Sequence, residues 1–202
     1  MTIEIISWIA VGLILIAATV VLISRDWRFS LGALAIQYLG VFWLVTRHLP
    51  FAMSTVKLIV GWMVIAILGM TRLSLTTLES EEGESFPRGR WFKIALMGII
   101  GLVAFGATPL IEGSIPGLGL PVIAGGMILI GAGVAHLGVT SDILRITLGL
   151  LTALAGFEIL YAAVESAILV TGLLATVNLG LGIVGAYLLI AGSASLESED
   201  AE

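Results

Sequence analysis

Residues 148–164, LGLLTALAGFEILYAAV, form a long apolar run in which Glu158 is the single charged side chain. A helix needs about 20 mostly apolar residues to cross a hydrocarbon core of about 30 Å. Because 59% of the whole chain is hydrophobic, we place this run within a bilayer. A charged side chain there costs roughly 2.5–3.5 kcal/mol on insertion scales, so an intramembrane acid marks a candidate functional site.

The composition of the whole chain predicts the same class of protein. Only 11% of the 202 residues are charged and 25 are glycine, which is typical of a polytopic helical membrane protein. The chain has no cysteine, so it supplies no disulfide, thiolate metal site or iron–sulfur cluster by itself. Two acidic clusters, LESEEGES at 78–85 and SLESEDAE at 195–202, are predicted to be a solvated loop and tail.

Charged and proline-containing interruptions divide the chain into seven apolar segments. They lie near residues 4–24, 29–46, 51–74, 91–110, 119–139, 143–164 and 167–192. The sequence therefore predicts an all-α integral membrane protein with about seven transmembrane helices. The first segment carries Glu4 and no basic region precedes it, so we expect a retained helix and not a signal peptide.

Basic residues near helix ends predict the orientation, because they are retained on the cytoplasmic side. With seven spans, one side holds Arg25, Arg28, Arg72, Arg88, Arg90, Lys93 and Arg145, and the other holds Arg47. We therefore expect the N-terminus outside and the acidic C-terminus in the cytoplasm, in a multi-pass protein of a prokaryotic cytoplasmic membrane.

The two halves of the chain show a weak internal similarity. SRDWRFSLGALAIQYLGVF at 24–42 aligns with SDILRITLGLLTALAGFEI at 141–159, so that a charged turn leads into a helix in each. Two parallel three-helix units joined by an extra helix would explain this, and convergent hydropathy is the alternative. The predicted organisation is a three-helix unit at 1–75, an acidic cytoplasmic loop at 76–90, an extra helix at 91–110, a second three-helix unit at 111–192 and an acidic tail at 193–202.

Two stretches resemble a known family. Residues 141–164 and 168–189 are similar to the second and third helices of the K-type (4L) subunit of proton-pumping NADH:quinone oxidoreductase. Gly156-Phe157-Glu158 stands in place of that family's G-L-E signature. The hydrogenase-4 component E family is similar over nearly the whole chain, including Gln37 in SLGALAIQYL and Lys57 in STVKLIVGW.

The resemblance implies a membrane subunit of a multisubunit redox-linked complex of the respiratory chain type that translocates protons or sodium ions. It implies other membrane subunits as partners, among them antiporter-like ones, and an ion path through an intramembrane glutamate. One departure stands out, because Asn178 occupies the position of the family's second intramembrane acid. An amide cannot release a proton, although it can hydrogen-bond water or an acid.

The candidate proton path consists of Glu158, Lys57, Gln37, Asn178 and Tyr161. Tyr161 lies three residues after Glu158, so we expect it to donate to the carboxylate. Asn178 is expected to face Glu158 or a common partner subunit. Whether Glu158 exchanges protons or stays protonated as a structural group is left open by the sequence.

Lys57 and Gln37 each allow two interpretations. Lys57 either snorkels to the outer interface or pairs with a carboxylate of a neighbouring subunit. Gln37 either belongs to the polar path or makes only an interhelical hydrogen bond. Asn178 belongs to a small and polar seam on the seventh segment that is suited to close helix approach, made of Thr171, Asn178, Gly182 and Gly185. His136 is expected near the cytoplasmic interface.

The sequence predicts no catalytic centre, cofactor or metal site in this chain, and no nucleic-acid partner, because its basic residues are few and scattered. Lipids are the other expected partners. Two alternatives differ in class from an ion-translocating subunit. One is a noncatalytic membrane scaffold in a larger respiratory or photosynthetic assembly, and the other is a small independent transporter.

Overall fold

The computed structural model describes residues 2–75, 89–165 and 167–199, with side chains up to residue 193. Within these ranges the chain forms seven helices and no strand: α1 (Thr2–Ile23), α2 (Trp27–Val45), α3 (Phe51–Leu75), α4 (Arg90–Ser114), α5 (Leu120–Val139), α6 (Ile143–Val164) and α7 (Ile168–Glu199). All seven are long and apolar enough to cross a membrane. The predicted class, an all-α membrane protein with about seven spanning helices, is confirmed.

Two predicted boundaries are wrong. Helix α4 was expected to end at 110, but it passes Pro109 and continues to Ser114. Proline removes one backbone donor without ending this helix, and Glu112 in its last turn accepts hydrogen bonds from the backbone of Gly117 (3.0 Å) and Gly119 (2.9 Å). Both glycines have positive φ, 98° and 87°, so this turn requires residues without a side chain.

The predicted acidic tail is the second boundary to change. Its first part, residues 193–199, continues helix α7, so these residues are part of that helix and do not form a separate tail. Residues 200–202 and most of the predicted acidic loop, residues 76–88, lie outside the described residues.

Helices α2 and α6 begin in the same way. Asp26 caps α2 by accepting a hydrogen bond from the backbone of Arg28 (2.9 Å), and Asp142 caps α6 through the backbone of Leu144 (3.3 Å). The guanidinium of Arg145 donates to the carbonyl oxygen of Ser24 at 3.0 Å. The turn before α2 and the turn before α6 therefore lie at the same membrane surface.

The helices form two groups of four that share α2 and α6. Helices α2 and α6 contact each other, α1 and α5 pack on one side of them, and α3 and α7 pack on the other. Helix α4 lies outside, against α5 and α1. The pairs α1–α2 and α2–α3 match the pairs α5–α6 and α6–α7, as the predicted repeat requires, and the duplication itself stays a prediction.

Glycines bring α5 and α6 into close backbone contact. A Cβ atom on Gly133 of α5 would lie 2.6 Å from the backbone nitrogen of Ala153 and the carbonyl oxygen of Gly149. A Cβ on Gly156 of α6 would lie 2.6 Å from the carbonyl oxygen of Gly126. Small residues permit this kind of approach between membrane helices, where packing and not the hydrophobic effect drives association.

We expect Gly133→Ala to lower the free energy of unfolding by about 1–3 kcal/mol, because the added methyl group must push two backbones apart. Thermal unfolding of the detergent-solubilised chain, followed by tryptophan fluorescence, measures the change. Gly106→Ala on α4 is the matched control, since nothing lies within 4 Å of a Cβ at that position. Equal melting temperatures for the two variants would contradict the close packing of α5 and α6.

Candidate functional site

The candidate site is a buried ion pair between α3 and α6. The Lys57 ammonium lies 3.2 Å from Oε2 of Glu158, and the two side chains are 5% and 1% exposed. Lys57 is six residues from the start of α3 and Glu158 six residues from the end of α6, so each lies about 9 Å inside its helix. The two charges therefore meet at the same depth within the membrane-spanning region.

Both sequence interpretations of Lys57 are wrong. Its ammonium does not extend to the interface, and its partner is not a carboxylate of a neighbouring subunit, because Glu158 of the same chain supplies the carboxylate. The ion pair lies inside the group of α2, α3, α6 and α7. In this group α2 packs on α3, α3 on α7, α7 on α6 and α6 on α2, so the ion pair joins two helices across the centre.

A second buried polar pair joins the other two helices of this group. The Tyr38 hydroxyl of α2 donates to Oδ1 of Asn178 on α7 at 3.1 Å, and these residues are 1% and 2% exposed. The interior of the four-helix group thus holds a neutral hydrogen-bonded pair in addition to the charged pair.

Gly61 allows Tyr38 to reach this position. It lies four residues after Lys57, on the same face of α3. A Cβ at Gly61 would lie 2.6–2.8 Å from atoms of the Tyr38 ring, so the ring rests directly on the α3 backbone. The ring therefore packs beside the ion pair, one helical turn away from Lys57.

Gln37 makes the interhelical hydrogen bond that was one of its two interpretations. Its Nε2 donates to the Thr152 hydroxyl of α6 at 3.4 Å, and both residues are buried. Its Oε1 has no hydrogen-bond partner in the described part of the chain. Gln37 thus links the two central helices and keeps one acceptor free.

The seam on α7 packs against this chain's own helices. A Cβ at Gly182 would lie 2.7 Å from the Val64 side chain of α3, and a Cβ at Gly185 would lie 2.5 Å from the Thr147 side chain of α6. Asn178, on the same helix, meets Tyr38. The expected close helix approach is therefore made within the chain.

The predicted hydrogen bond from Tyr161 to Glu158 is wrong. Oε2 of Glu158 faces Lys57, and its Oε1 has no hydrogen-bond partner among the described residues. The Tyr161 ring lies 5.7 Å from the ring of Phe157, which is exposed. Residues four apart share a helix face, so Tyr161 lies on the same outer face of α6 as Phe157.

His136 lies in the last turn of α5, near the helix end as expected, and its side chain is buried between helices at 3% exposure. The Cβ of His136 is 3.2 Å from where a Cβ on Gly149 of α6 would stand. The absence of a side chain at Gly149 thus leaves room for His136 between the two helices.

Sequence analysis missed three residues of the site: Tyr38, Gly61 and Thr152. Tyr38 follows Gln37 directly, and two successive hydrogen-bonding side chains in the middle of an apolar helix are a signal that could have been used. Gly61 carries no such signal, because it is one of 25 glycines. Its function depends on a contact with a different helix.

The net charge of the buried pair changes when a proton binds to it. Glu158 can accept a proton, which neutralises it and leaves Lys57 with an unbalanced charge, so protonation is coupled to the position of the ammonium. The same four-helix group also holds the Tyr38 hydroxyl, the side-chain amides of Gln37 and Asn178, and the Thr152 hydroxyl as hydrogen-bonding groups. Searches against known proteins find no matching family model, curated protein or solved structure.

Proposed function

We propose that this chain is a membrane subunit of a multisubunit redox-linked complex that translocates protons, and that Lys57 and Glu158 form part of the ion path. The observation that carries the proposal is the buried ion pair. Replacing a buried ion pair by well-packed apolar residues is often neutral or stabilising, so stability is a weak reason to keep one. Ionisable residues inside membranes are typically functional.

The chemistry of the pair favours the proton over the sodium ion. A bound sodium ion would need to lie against the Glu158 carboxylate, where the Lys57 ammonium already stands 3.2 Å from Oε2. Two cations at one carboxylate repel each other strongly in a medium of low dielectric. A proton can bind Glu158 because it removes the negative charge and needs no coordination shell.

The neutral pairs supply further polar positions along the membrane normal. Asn178 is ten residues into α7, which places it about 15 Å along the axis from the start of that helix. Thr152 is nine residues into α6, about 14 Å along the axis from the start of that helix. Glu158 lies about 9 Å from the end of α6. The Tyr38–Asn178 and Gln37–Thr152 hydrogen bonds therefore lie deeper than the ion pair, and we assign them to the continuation of the path.

In this proposal the chain works with other membrane subunits, including antiporter-like ones, as the resemblance to the hydrogenase-4 component E and K-type subunits implies. Its N-terminus lies outside a prokaryotic cytoplasmic membrane and its C-terminus inside. The support for this orientation is the distribution of basic residues, since Arg25, Arg28 and Arg145 lie at one surface.

Glu158→Gln tests the proposal in cells that lack the native copy. We expect proton translocation per assembled complex to fall at least about tenfold, because glutamine has nearly the same shape and cannot bind a proton. Membrane vesicles with a pH-sensitive dye measure translocation, and the amount of co-purified subunits measures assembly. Glu4→Gln, at an exposed carboxylate of α1, is the control. Undiminished translocation by Glu158→Gln would reject the ion path and favour a noncatalytic scaffold.

A further inference from the structure

An apolar groove runs between α1 and α2 on the outer surface of the helix bundle, and the ion path does not use it. It has a volume of about 340 Å³. Its walls include Ile16 and Val20 of α1, and Phe29 and Ile36 of α2, all of them exposed. The groove therefore opens toward the surroundings of the bundle and not toward its interior.

Gly32 gives the groove its depth. Nothing lies within 4 Å of a Cβ built at this residue, so an added methyl group would meet no other part of the fold and a larger side chain would extend into the groove. Ile36 is eight residues after Arg28 on α2, so the groove extends about 12 Å along the helix. A helix is about 10–12 Å wide with its side chains, and a volume of about 340 Å³ spread over about 12 Å of length is too small to hold one.

A cation marks one end of the groove. Arg28 is the second residue of α2, beside the turn that carries Arg25, and it lines the groove. The Arg28 guanidinium lies 5.4 Å from the centre of the Trp27 ring, and it has no ion pair within the described part of the chain. A guanidinium at the end of a spanning helix lies at the depth of lipid headgroups, and tryptophan is typical of that depth.

We propose that this groove is a binding site for an anionic phospholipid, with its phosphate at Arg28 and one acyl chain between α1 and α2. The argument is the match of charge and shape. A positive group stands at the interfacial end, and an apolar channel runs from it toward the membrane centre. Arginine pairs with phosphate through two parallel hydrogen bonds, and its charge favours a headgroup of net negative charge over a zwitterionic one, whose own cation opposes the attraction.

Native mass spectrometry of the purified full chain in detergent tests the site. Phosphatidylglycerol and phosphatidylcholine with identical acyl chains are added separately, and the bound lipid per chain is counted. We expect Arg28→Gln to weaken phosphatidylglycerol binding roughly fivefold with little change for phosphatidylcholine, since one basic residue near the surface contributes about that factor. Gly32→Leu should remove both lipids from the site, because leucine occupies the channel.

Gly98→Leu on α4 is the matched control, because nothing lies within 4 Å of a Cβ there either and the position is exposed. It should bind both lipids as the unchanged protein does. Wild-type lipid binding by Gly32→Leu would overturn the site. Equal loss of both lipids in Arg28→Gln would overturn the recognition of an anionic headgroup.

A protein occupant is the remaining alternative, and cysteine chemistry separates it. The chain has no native cysteine, so Gly32→Cys introduces a single thiol in the groove. In the intact complex within its membrane, a photoreactive group attached to this thiol should crosslink the chain to lipid and to no other protein. A crosslink to another membrane subunit would overturn the lipid assignment.

Discussion

Lys57→Met is expected to lower the free energy of unfolding by about 3–5 kcal/mol, because it leaves the Glu158 carboxylate buried without its cation. Glu158→Leu should cost a similar amount by leaving the Lys57 ammonium unpaired. The two side chains are 5% and 1% exposed, so water does not compensate either loss. Unfolding of the detergent-solubilised variants by denaturant or heat measures both values.

The double variant Lys57→Met/Glu158→Leu should recover most of this loss, since no unpaired charge is left in the interior. A coupling energy near zero between the two substitutions would contradict the ion pair. Glu165→Leu provides a control, because this exposed glutamate lies just beyond the end of the same helix and forms no ion pair among the described residues. Its carboxylate accepts one hydrogen bond, from the backbone of Ala167 (3.1 Å), and an exposed hydrogen bond contributes about 1 kcal/mol. This variant should change stability far less.

Gly61→Val is expected to cost about 2–4 kcal/mol and to disturb the ion pair. Its Cβ would enter the Tyr38 ring, which must leave the α3 backbone and give up the hydrogen bond to Asn178. Because Gly61 lies one turn from Lys57, the displaced ring or a shifted α3 would also separate the ammonium from Glu158. We expect both the free energy of unfolding and the proton translocation per assembled complex to fall.

Two variants make this prediction specific. Gly69→Val lies two turns further along α3, where a Cβ would meet only the end of the Leu31 side chain at 3.5 Å, so it should be mild. Tyr38→Phe keeps the ring and removes the hydroxyl, which leaves the Asn178 oxygen unpaired and should cost about 1–3 kcal/mol. Equal effects of Gly61→Val and Gly69→Val would show that the Tyr38 ring does not depend on Gly61.

Most of the fold could be predicted because each spanning helix is recognisable from its own stretch of sequence. An apolar run between charged turns is visible without any knowledge of its neighbours, as at 143–164, where the predicted and observed bounds agree. The end of α4 was predicted too early because the glycine- and proline-containing stretch IEGSIPGLGLP at 111–121 was interpreted as a loop from its first residue. In fact Glu112 folds the next residues back only after one more helical turn.

The sequence predicted which polar residues belong to the candidate site better than it predicted which of them contact each other. Glu158, Lys57, Gln37 and Asn178 stand out because polar groups are costly in a membrane. Their partners depend on which helices meet, and Lys57 and Glu158 are 101 positions apart in the chain. Tyr161 was predicted to donate to Glu158 because it is close in sequence. The carboxylate is instead paired with Lys57, which is distant in sequence and lies at the same depth.

The most direct test of the account is proton translocation by the assembled complex that carries Lys57→Met/Glu158→Leu. This variant lacks both charges and avoids an unpaired one, so it separates the ion path from the stability of the fold. We predict a stable, fully assembled complex with proton translocation reduced at least about tenfold, since neither side chain can exchange a proton. Translocation at the wild-type rate in that complex would contradict the proposed role of the ion pair.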